Sequence, residues 1–310
     1  MGLDVDKIVG TAPALLTTLN AANIISTTDV TVLVQGESGT GKELLAKALH
    51  THSRRANRPM VAINCAALSK EFIESELFGH KKGAFPGADK DQLGRIPAAH
   101  GGTLFLDEIS ELPVTVQAKL LRFIETGEYL PIGGSHPSRI DVRIIATTNK
   151  SLADMVADNT FRRDLYFRLN VVPLELPPLR KRQQDVVLLT KYFFEQFARE
   201  YAMPAPRVSE TGLKLLRAYP WPGNVRELRN LCQRLTILLP GQEITPENLP
   251  MEFTNYEKSP RVSVTSLVEV EVAMLRRALE ENASNQSKAA RALGLSRDAF
   301  LYRLKKYGLR

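Results

Sequence analysis

Cysteine is scarce in this chain: only Cys65 and Cys232 occur among 310 residues. The two lie far apart and in no spacing typical of metal ligands, which argues against a disulfide framework or a zinc site. We therefore expect both to be buried thiols in a protein of the reducing cytoplasm.

Long apolar runs are absent as well. No stretch approaches the roughly 20 consecutive apolar residues that cross a bilayer. The N-terminal segment carries Asp4 and Asp6 where a secretion signal has an apolar core. The sequence thus predicts no membrane segment and no secretion. With 44% hydrophobic and 24% charged residues, the chain is typical of a globular protein of two or three domains.

What the chain has in excess is positive charge, and that excess is concentrated at one end. The net charge is +7. Residues 261–310 hold ten basic and five acidic residues, whereas residues 1–260 hold 31 and 29. A basic terminal segment on a nearly neutral body indicates a nucleic-acid-binding domain, although a solvated charged helix has the same composition.

Hydrophobic periodicity divides the chain into four parts. Residues 1–176 alternate helical patterns with short β-branched runs, which predicts an α/β domain with a parallel sheet. Its predicted strands are Thr31–Val34, Met60–Ile63, Thr103–Leu106 and Val142–Ala146. Residues 177–240 are helical throughout and predict a lid subdomain. Residues 241–264, rich in Pro, Glu and Asn, predict a linker, and residues 265–310 predict a small all-α domain.

A glycine-rich segment follows the first predicted strand and precedes a helix. Its glycines let backbone N–H groups surround phosphate oxygens at the start of that helix, and Lys42 is in position to reach the β- and γ-phosphates. Glu43 stands where such loops usually have the Ser or Thr that binds magnesium, so the metal needs another ligand or water. The predicted nucleotide-binding loop comprises Gly36, Glu37, Ser38, Gly39, Thr40, Gly41, Lys42 and Glu43.

Two acidic residues follow the predicted strand Thr103–Leu106. Ligands bind at the carboxyl edge of a parallel sheet, so we assign Asp107 to Mg²⁺ and Glu108 to polarising the water that attacks ATP. Taken alone, two acids at such a position are more typical of a helix N-cap. The glycine-rich loop upstream is what favours the catalytic interpretation.

These motifs resemble, in order and spacing, the central domain of the bacterial enhancer-binding proteins, the AAA+ activators of sigma-54 RNA polymerase. The similar stretches are Leu33–Glu43, Glu76–Ala88, Gly101–Ile109, Phe161–Leu169 and Trp221–Leu228. The resemblance runs from about Ile8 to Leu239, and the C-terminal part resembles a Fis-type helix-turn-helix. It implies an AAA+ P-loop ATPase with a helical lid, followed by a DNA-binding domain.

The resemblance also implies roles for single residues around the nucleotide. Asn64 corresponds to an asparagine that hydrogen-bonds the catalytic glutamate, here Glu108, whereas the residue pattern alone favours a strand-end turn. The resemblance further implies that Asn149 senses the γ-phosphate and that the lid residue Arg226 touches the nucleotide. Ile8 and Val9 would line the pocket for the base.

The stretch Phe161–Leu169 resembles the arginine-finger segment of the family, with Arg162 and Arg168 at the two arginine positions. Their planar, permanently charged guanidinium groups suit the charge that develops on the transferred phosphate. They are expected to act across a subunit interface, so the implied active form is a ring, typically a hexamer. Arg163 is not part of the pattern, and we expect it to be solvated.

The signature loop of the family, GAFTGA, which contacts sigma-54, has a proline here in place of threonine; it comprises Gly83, Ala84, Phe85, Pro86, Gly87 and Ala88. Proline removes a hydroxyl and an N–H and restricts Phe85 towards extended conformations. A second departure, Ile96 and Pro97, stands where the family has an aromatic residue followed by an acid. Both changes predict altered or lost coupling to sigma-54, unless Phe85 makes the essential contact and Pro86 is tolerated.

The last 50 residues have the layout of a helix, a glycine turn and a second helix. Ser296 is the predicted N-cap and is also counted among the predicted DNA-binding residues, and Phe300, Leu304 and Tyr307 recur on one inner face. Because the start of the second helix enters the major groove, the predicted base contacts are Arg297 and Tyr302, and the predicted phosphate contacts are Arg303, Lys305 and Lys306. The helix near 270–279 is expected to pair two subunits. A helical dimerisation domain is the alternative.

Two functions fit these features. The first is an activator that binds upstream double-stranded DNA and uses ATP and Mg²⁺ in a ring oligomer to remodel sigma-54 RNA polymerase. The second is an AAA+ regulator that represses, or acts with the housekeeping polymerase, and Pro86 discriminates between them. No receiver domain precedes Ile8, so we expect either control by a separate regulatory protein or a longer natural chain.

Overall fold

The computed structural model describes residues 8–69, 72–253, 267–282 and 285–309. The chain forms two compact units, divided between Glu257 and Lys258, and each is described by itself. Within the described ranges, no helix is long and apolar enough to span a membrane.

The core of the first unit is a five-stranded parallel sheet, as predicted. The strands of the unit are β1 (Val32–Gln35), β2 (Met60–Asn64), β3 (Gly79–His80), β4 (Gln92–Leu93), β5 (Thr103–Asp107), β6 (Glu128–Tyr129), β7 (Ser138–Arg139), β8 (Arg143–Thr148), β9 (Val172–Glu175), β10 (Arg207–Val208) and β11 (Glu243–Ile244). The order in the sheet is β2-β5-β8-β1-β9. The sequence did not predict β9, which contains Pro173. As an edge strand it tolerates a residue that cannot donate to the ladder.

Helices cover both faces of this sheet. Those of the first unit are α1 (Pro13–Ser26), α2 (Lys42–Thr51), α3 (Ile73–Phe78), α4 (Arg95–Ala98), α5 (Val114–Thr126), α6 (Leu152–Ala157), α7 (Arg163–Leu169), α8 (Gln183–Glu200), α9 (Glu210–Ala218) and α10 (Asn224–Leu238). In β5, Leu104 and Leu106 pack with α3, α5 and α7, whereas Phe105 packs with α1 and α2 on the opposite face. This alternation explains why the strand sequence is continuously apolar.

Helices α8, α9 and α10 form the predicted lid around a core of aromatic and leucine side chains. Trp221 is fully buried there, and its indole N–H donates to the Leu216 carbonyl at 2.8 Å. Cys232 belongs to the same core, whereas Cys65 belongs to the core between the sheet and α3, α5 and α7. Both are buried, as predicted. Burial raises the pKa of both thiols.

The linker prediction needs correction, because residues 241–253 belong to the lid. Strand β11 pairs with β10, and Ile244, Leu249 and Phe253 are buried in the lid core. The Phe253 ring lies 4.2 Å from that of Tyr219, centroid to centroid. The polar composition of the segment concealed these three apolar side chains. The remainder of the predicted linker, residues 254–264, lies outside the described residues.

The second unit contains α11 (Leu267–Glu281), α12 (Gln286–Ala292) and α13 (Arg297–Lys306). Phe300 and Leu304 are buried in its small core, as predicted. The turn between α12 and α13 contains Gly294 at φ +66°. Ser296 caps α13, since its hydroxyl accepts the N–H of Ala299 at 3.2 Å.

Candidate active site

A cavity of about 590 Å³ lies at the carboxyl edge of the sheet, between the glycine-rich loop, the end of β5 and the lid. One part of its wall is polar and includes Ser38, Gly39, Thr40, Gly41, Lys42, Glu43, Asp107, Glu108, Arg182 and Arg226. The other part is largely apolar and includes Ile8, Val9, Leu44, Leu189, Tyr192, Phe193 and Val225. Such a lining suits a ligand with an anionic end and a flat apolar end.

The glycine-rich loop is fixed between the sheet and the lid. The Gly36 N–H donates to the Thr148 carbonyl at 3.2 Å, and α2 begins at Lys42. A Cβ atom on Gly39 would lie 2.3 Å from the Gly223 carbonyl oxygen of the lid, so no larger residue fits there. The loop therefore presents the N-terminal turn of α2 to the cavity, where the helix dipole favours an anion.

Lys42 and Glu108 face each other inside this cavity. The Lys42 ammonium lies 2.8 Å from the Gly36 carbonyl oxygen and 3.4 Å from Oε1 of Glu108. Oε2 of Glu108 accepts the backbone N–H of Asn149 at 3.1 Å. Glu108 has φ +55°, a left-handed conformation that is costly for glutamate and typical of functional sites. The carboxylate is thus held beside the position that the phosphates of a nucleotide would occupy.

Asp107 is held by two neighbouring strands. Its Oδ1 accepts the Thr147 hydroxyl at 2.5 Å and its Oδ2 accepts Nδ2 of Asn64 at 3.3 Å. The predicted contact of Asn64 with Glu108 is therefore wrong in this structure. Asn64 pairs with Asp107 in the β2–β5 register, while Glu108 turns away after the strand ends. The sequence did not identify Thr147 as a site residue, although it directly precedes Thr148 and the predicted γ-phosphate sensor Asn149.

Three residues of the predicted nucleotide site, Gly36, Glu37 and Asn149, do not line the cavity. The Glu37 side chain instead contacts the lid: Arg180 donates to its two carboxylate oxygens at 2.7 and 2.5 Å. Its Oε2 also accepts Nδ2 of Asn224 at 3.2 Å. The hydrogen bonds from Arg180, ahead of that from Asn224, lower the pKa of Glu37 from 4.5 to about 2. We call these three side chains the lid clamp.

The lid also reaches the loop through Arg226 and Asn224. The Arg226 guanidinium donates to the Ser38 hydroxyl at 3.0 Å, and its backbone N–H donates to the Gly39 carbonyl at 3.3 Å. Nδ2 of the fully buried Asn224 donates to the Ser38 carbonyl at 3.0 Å. The position of the lid and the shape of the phosphate-binding loop are therefore linked.

Comparison with known proteins identifies the family to which this geometry belongs. Residues 8–175 match the Sigma-54 interaction domain, residues 180–266 the AAA+ ATPase lid domain and residues 266–307 the Fis family of bacterial regulatory proteins. The chain belongs to the sigma-54-dependent AAA+ activators. It is an ATPase with a Fis-type helix-turn-helix domain, as the sequence resemblance predicted.

Relatives of this activator match nearly its whole length. The transcriptional regulatory protein ZraR of Klebsiella oxytoca is 44% identical over 301 residues, which cover 96% of this chain and 68% of ZraR. The alginate biosynthesis transcriptional regulatory protein AlgB of Pseudomonas aeruginosa is 44% identical over 306 residues, or 98% of this chain and 68% of AlgB. The crystal structure of NtrX from Brucella abortus in complex with ATP is 33% identical, with a TM-score of 0.75, and covers 97% of this chain and 69% of that one.

The arginine segment of this AAA+ activator lies away from its own nucleotide cavity. Arg162 contacts Asp164 at 3.1 and 2.7 Å, and Nε of Arg168 lies 3.2 Å from Oε1 of Glu125. Neither arginine lines the cavity of its own chain. Arg163 is exposed, as expected, and lies over the Phe167 ring at 5.7 Å.

The GAFPGA loop of this activator is anchored at its base and exposed at Pro86. Strands β3 and β4 pair beside it, and the Phe85 ring packs edge-on against His80, with centroids 4.9 Å apart. The Ala88 N–H donates to the Phe85 carbonyl at 3.0 Å, and Gly87 has φ +96°. This is the geometry of a type II turn with proline at its second position. No N–H is needed there, and proline stabilises such turns by about 0.4–1 kcal/mol. The hydroxyl of threonine is the group that this chain lacks.

In the Fis-type domain, one predicted DNA contact is corrected. Nε of Arg303 donates to Oε1 of Glu271 in α11 at 2.7 Å, and the Tyr307 hydroxyl donates to Oε2 of Glu271 at 2.6 Å. Arg303 therefore joins α13 to α11, and a phosphate contact would require it to leave Glu271. The other candidates on α13, Arg297, Tyr302, Lys305 and Lys306, are exposed.

Proposed function

We propose that this activator binds upstream DNA, assembles into a ring and uses Mg²⁺-dependent ATP hydrolysis to remodel sigma-54 RNA polymerase. The observation that carries the proposal is the position of Glu108 between Lys42 and the Asn149 N–H, in the same unit as an exposed, anchored GAFPGA loop. Strand β2 ends at Asn64, which contacts Asp107, and the chain continues through α3 into that loop. A change at the proposed metal-binding carboxylate can therefore reach the loop through the hydrogen bond to Asn64 and the chain that follows it.

Asp107 is the proposed Mg²⁺ ligand. Mg²⁺ prefers oxygen ligands and is commonly held by one or two carboxylates, water and substrate phosphates. Asp107 lines the cavity beside Glu108 and fits that role. Glu43, at the usual Ser or Thr position, contacts Lys47 at 2.6 Å on the surface of α2. We therefore assign the metal to Asp107, the phosphates and water.

The proposed ring is supported by the location of the two arginines. Arg162 and Arg168 are outside their own cavity, and each forms a surface ion pair, which is readily exchanged for a stronger partner. A phosphate of a neighbouring subunit is such a partner, since guanidinium groups bind phosphate oxygens bidentately.

A second candidate function is a regulator that acts without sigma-54, and the missing threonine hydroxyl at Pro86 favours it. Trapping of sigma-54 with ADP–aluminium fluoride discriminates between the two. We expect the native chain to trap sigma-54 and Pro86→Thr to trap it about fivefold more strongly, because a single added hydrogen bond contributes about 1 kcal/mol. The ATP turnover of the variant should stay within about twofold, since the turn between Phe85 and Ala88 is retained.

Phe85→Ala is the matched control for that experiment. It removes the ring that packs on His80 and should abolish trapping without changing the ATP site. If neither the native chain nor Pro86→Thr traps sigma-54, the second function becomes the better proposal.

DNA binding by the full chain should depend steeply on salt and on Arg297. Affinity for a regulated promoter fragment should fall with a slope of about −0.9 per phosphate contact in a plot of log affinity against log salt. Arg297→Ala should weaken specific binding by about tenfold, as expected for a base-contacting arginine. Footprinting and a salt titration measure both effects.

Arg303→Ala is the control for the DNA experiment. It should lower the unfolding temperature of the C-terminal unit, because Glu271 loses a partner, yet leave the salt slope unchanged. Equal losses of specific binding in Arg297→Ala and Arg303→Ala would contradict the assignment of Arg297 as the base contact. Absence of any footprint at low salt would make the unit a dimerisation domain.

A further inference from the structure

Arg182, which directly precedes α8, brings a buried positive charge to the wall of the nucleotide cavity. It is only 3% exposed and lines that cavity together with the glycine-rich loop. Its Nη2 lies 3.4 Å from the Thr40 carbonyl oxygen, a long contact for a charged donor. Its Nε has no hydrogen-bond partner among the described residues.

This charge lacks a close counter-ion. Among the described residues, no carboxylate forms an ion pair with Arg182 within 4.0 Å. The buried carboxylate of Asp185 acts on this charge without a direct contact. Its Oδ1 accepts the N–H groups of Thr11 and Ala12 at 2.7 and 3.1 Å, and its Oδ2 has no hydrogen-bond partner among the described residues. Burial lowers the pKa of Arg182. A buried charge without a direct ionic partner is costly and is typical of a site that binds an oppositely charged ligand.

A second buried arginine shows what a purely structural role looks like in this fold. Arg143 is fully buried and donates to the carbonyl oxygens of Ser26, Leu49 and Ile25 at 2.8, 3.3 and 3.2 Å. These carbonyls lie at the C-terminal ends of α1 and α2, where a cation is favoured. Arg143 does not line the nucleotide cavity. Like Arg182, Arg143 has an Nε without a hydrogen-bond partner among the described residues. The two arginines differ in the carbonyl oxygens that they contact and in their access to the cavity.

We propose that Arg182 is a phosphate-binding residue of this ATPase. The phosphate chain of the nucleotide supplies a counter-charge in direct contact, which no described carboxylate provides within 4.0 Å, and the planar guanidinium offers several donors to phosphate oxygens. Because Arg182 stands at the start of the lid, this contact holds the lid against the loaded loop. The inference rests on ATP binding in this cavity and adds a residue that none of the sequence motifs contains.

The test compares Arg182→Met with Arg143→Met in the full chain. Without nucleotide, Arg182→Met should unfold at the same or a higher temperature, because a buried charge that has no direct ionic partner is removed. Its affinity for ADP and ATP should fall by about tenfold or more, and stabilisation by inorganic tripolyphosphate should be lost. Arg143→Met should unfold at a lower temperature with unchanged affinity. Arg182→Lys keeps the positive charge but lacks the planar guanidinium group. It should retain the unfolding temperature and bind the nucleotide severalfold more weakly.

Two outcomes would overturn the proposal. A lower unfolding temperature with unchanged nucleotide affinity in Arg182→Met makes the residue structural, like Arg143. Undiminished stabilisation of Arg182→Met by tripolyphosphate removes the phosphate assignment. The variant Lys42→Ala distinguishes failure of the Arg182 proposal from failure of the proposed ATP site. If Lys42→Ala retained its affinity for ATP, the nucleotide would bind elsewhere.

Discussion

Glu108→Gln is expected to slow ATP hydrolysis by about 10²–10⁴-fold, the usual contribution of a general base, while ATP remains bound. The amide of glutamine keeps the size of the side chain and an oxygen that can accept the Asn149 N–H, which lies 3.1 Å from Oε2 of Glu108. It cannot draw a proton from water. Single-turnover hydrolysis and equilibrium ATP binding, measured on the same preparation, separate the two effects.

Glu111→Gln is the matched control for this variant. Glu111 lies three residues further along and contacts Lys150 at 2.6 Å, outside the cavity lining. Its replacement should leave turnover nearly unchanged. Turnover at the native rate in Glu108→Gln would contradict the assignment of the base.

Arg162→Ala and Arg168→Ala are each expected to lower turnover by about 10³-fold or more, the effect of losing an arginine finger. The loss should appear only in the assembled protein, because neither side chain reaches its own cavity. Arg163→Ala is the control, since Arg163 lies over the Phe167 ring and is exposed. It should retain most of the activity.

Mixing two inactive variants tests whether the arginines act between subunits. Arg162→Ala keeps Lys42, and Lys42→Ala keeps Arg162, so some interfaces of a mixed ring contain both groups. Mixing should therefore restore part of the activity. Full activity of the native chain at a dilution where it is monomeric would show that the site is complete within one subunit.

The sequence predicted what is encoded locally and missed what depends on distant partners. The glycine-rich loop and the pair of acids after β5 are each a short contiguous motif. The sequence alone was therefore sufficient to select Lys42, Asp107 and Glu108, which the structure brings to one cavity, and their roles stay predictions. The lid clamp joins Glu37 to Arg180 and Asn224, which are 143 and 187 residues away. No local pattern reveals such a contact.

The errors have the same origin. The partner of Asn64 was wrong because the β2–β5 register decides between Asp107 and Glu108. Arg303 was predicted to face DNA because the position of Glu271 on another helix is not visible in its own periodicity. The lid segment 241–253 looked like a linker because its three buried side chains are widely spaced.

The chain contains a single tryptophan, Trp221, and its burial in the lid makes it an intrinsic fluorescent probe. The indole packs against the Tyr219 and Phe253 rings. Trp221 lies three residues before Asn224, which contacts the phosphate-binding loop. Ultraviolet emission excited at the indole therefore comes from the lid alone. In unlabelled protein, the emission intensity can be used to follow movement of the lid during the ATPase cycle in real time. A red shift of the emission would report exposure of the lid core.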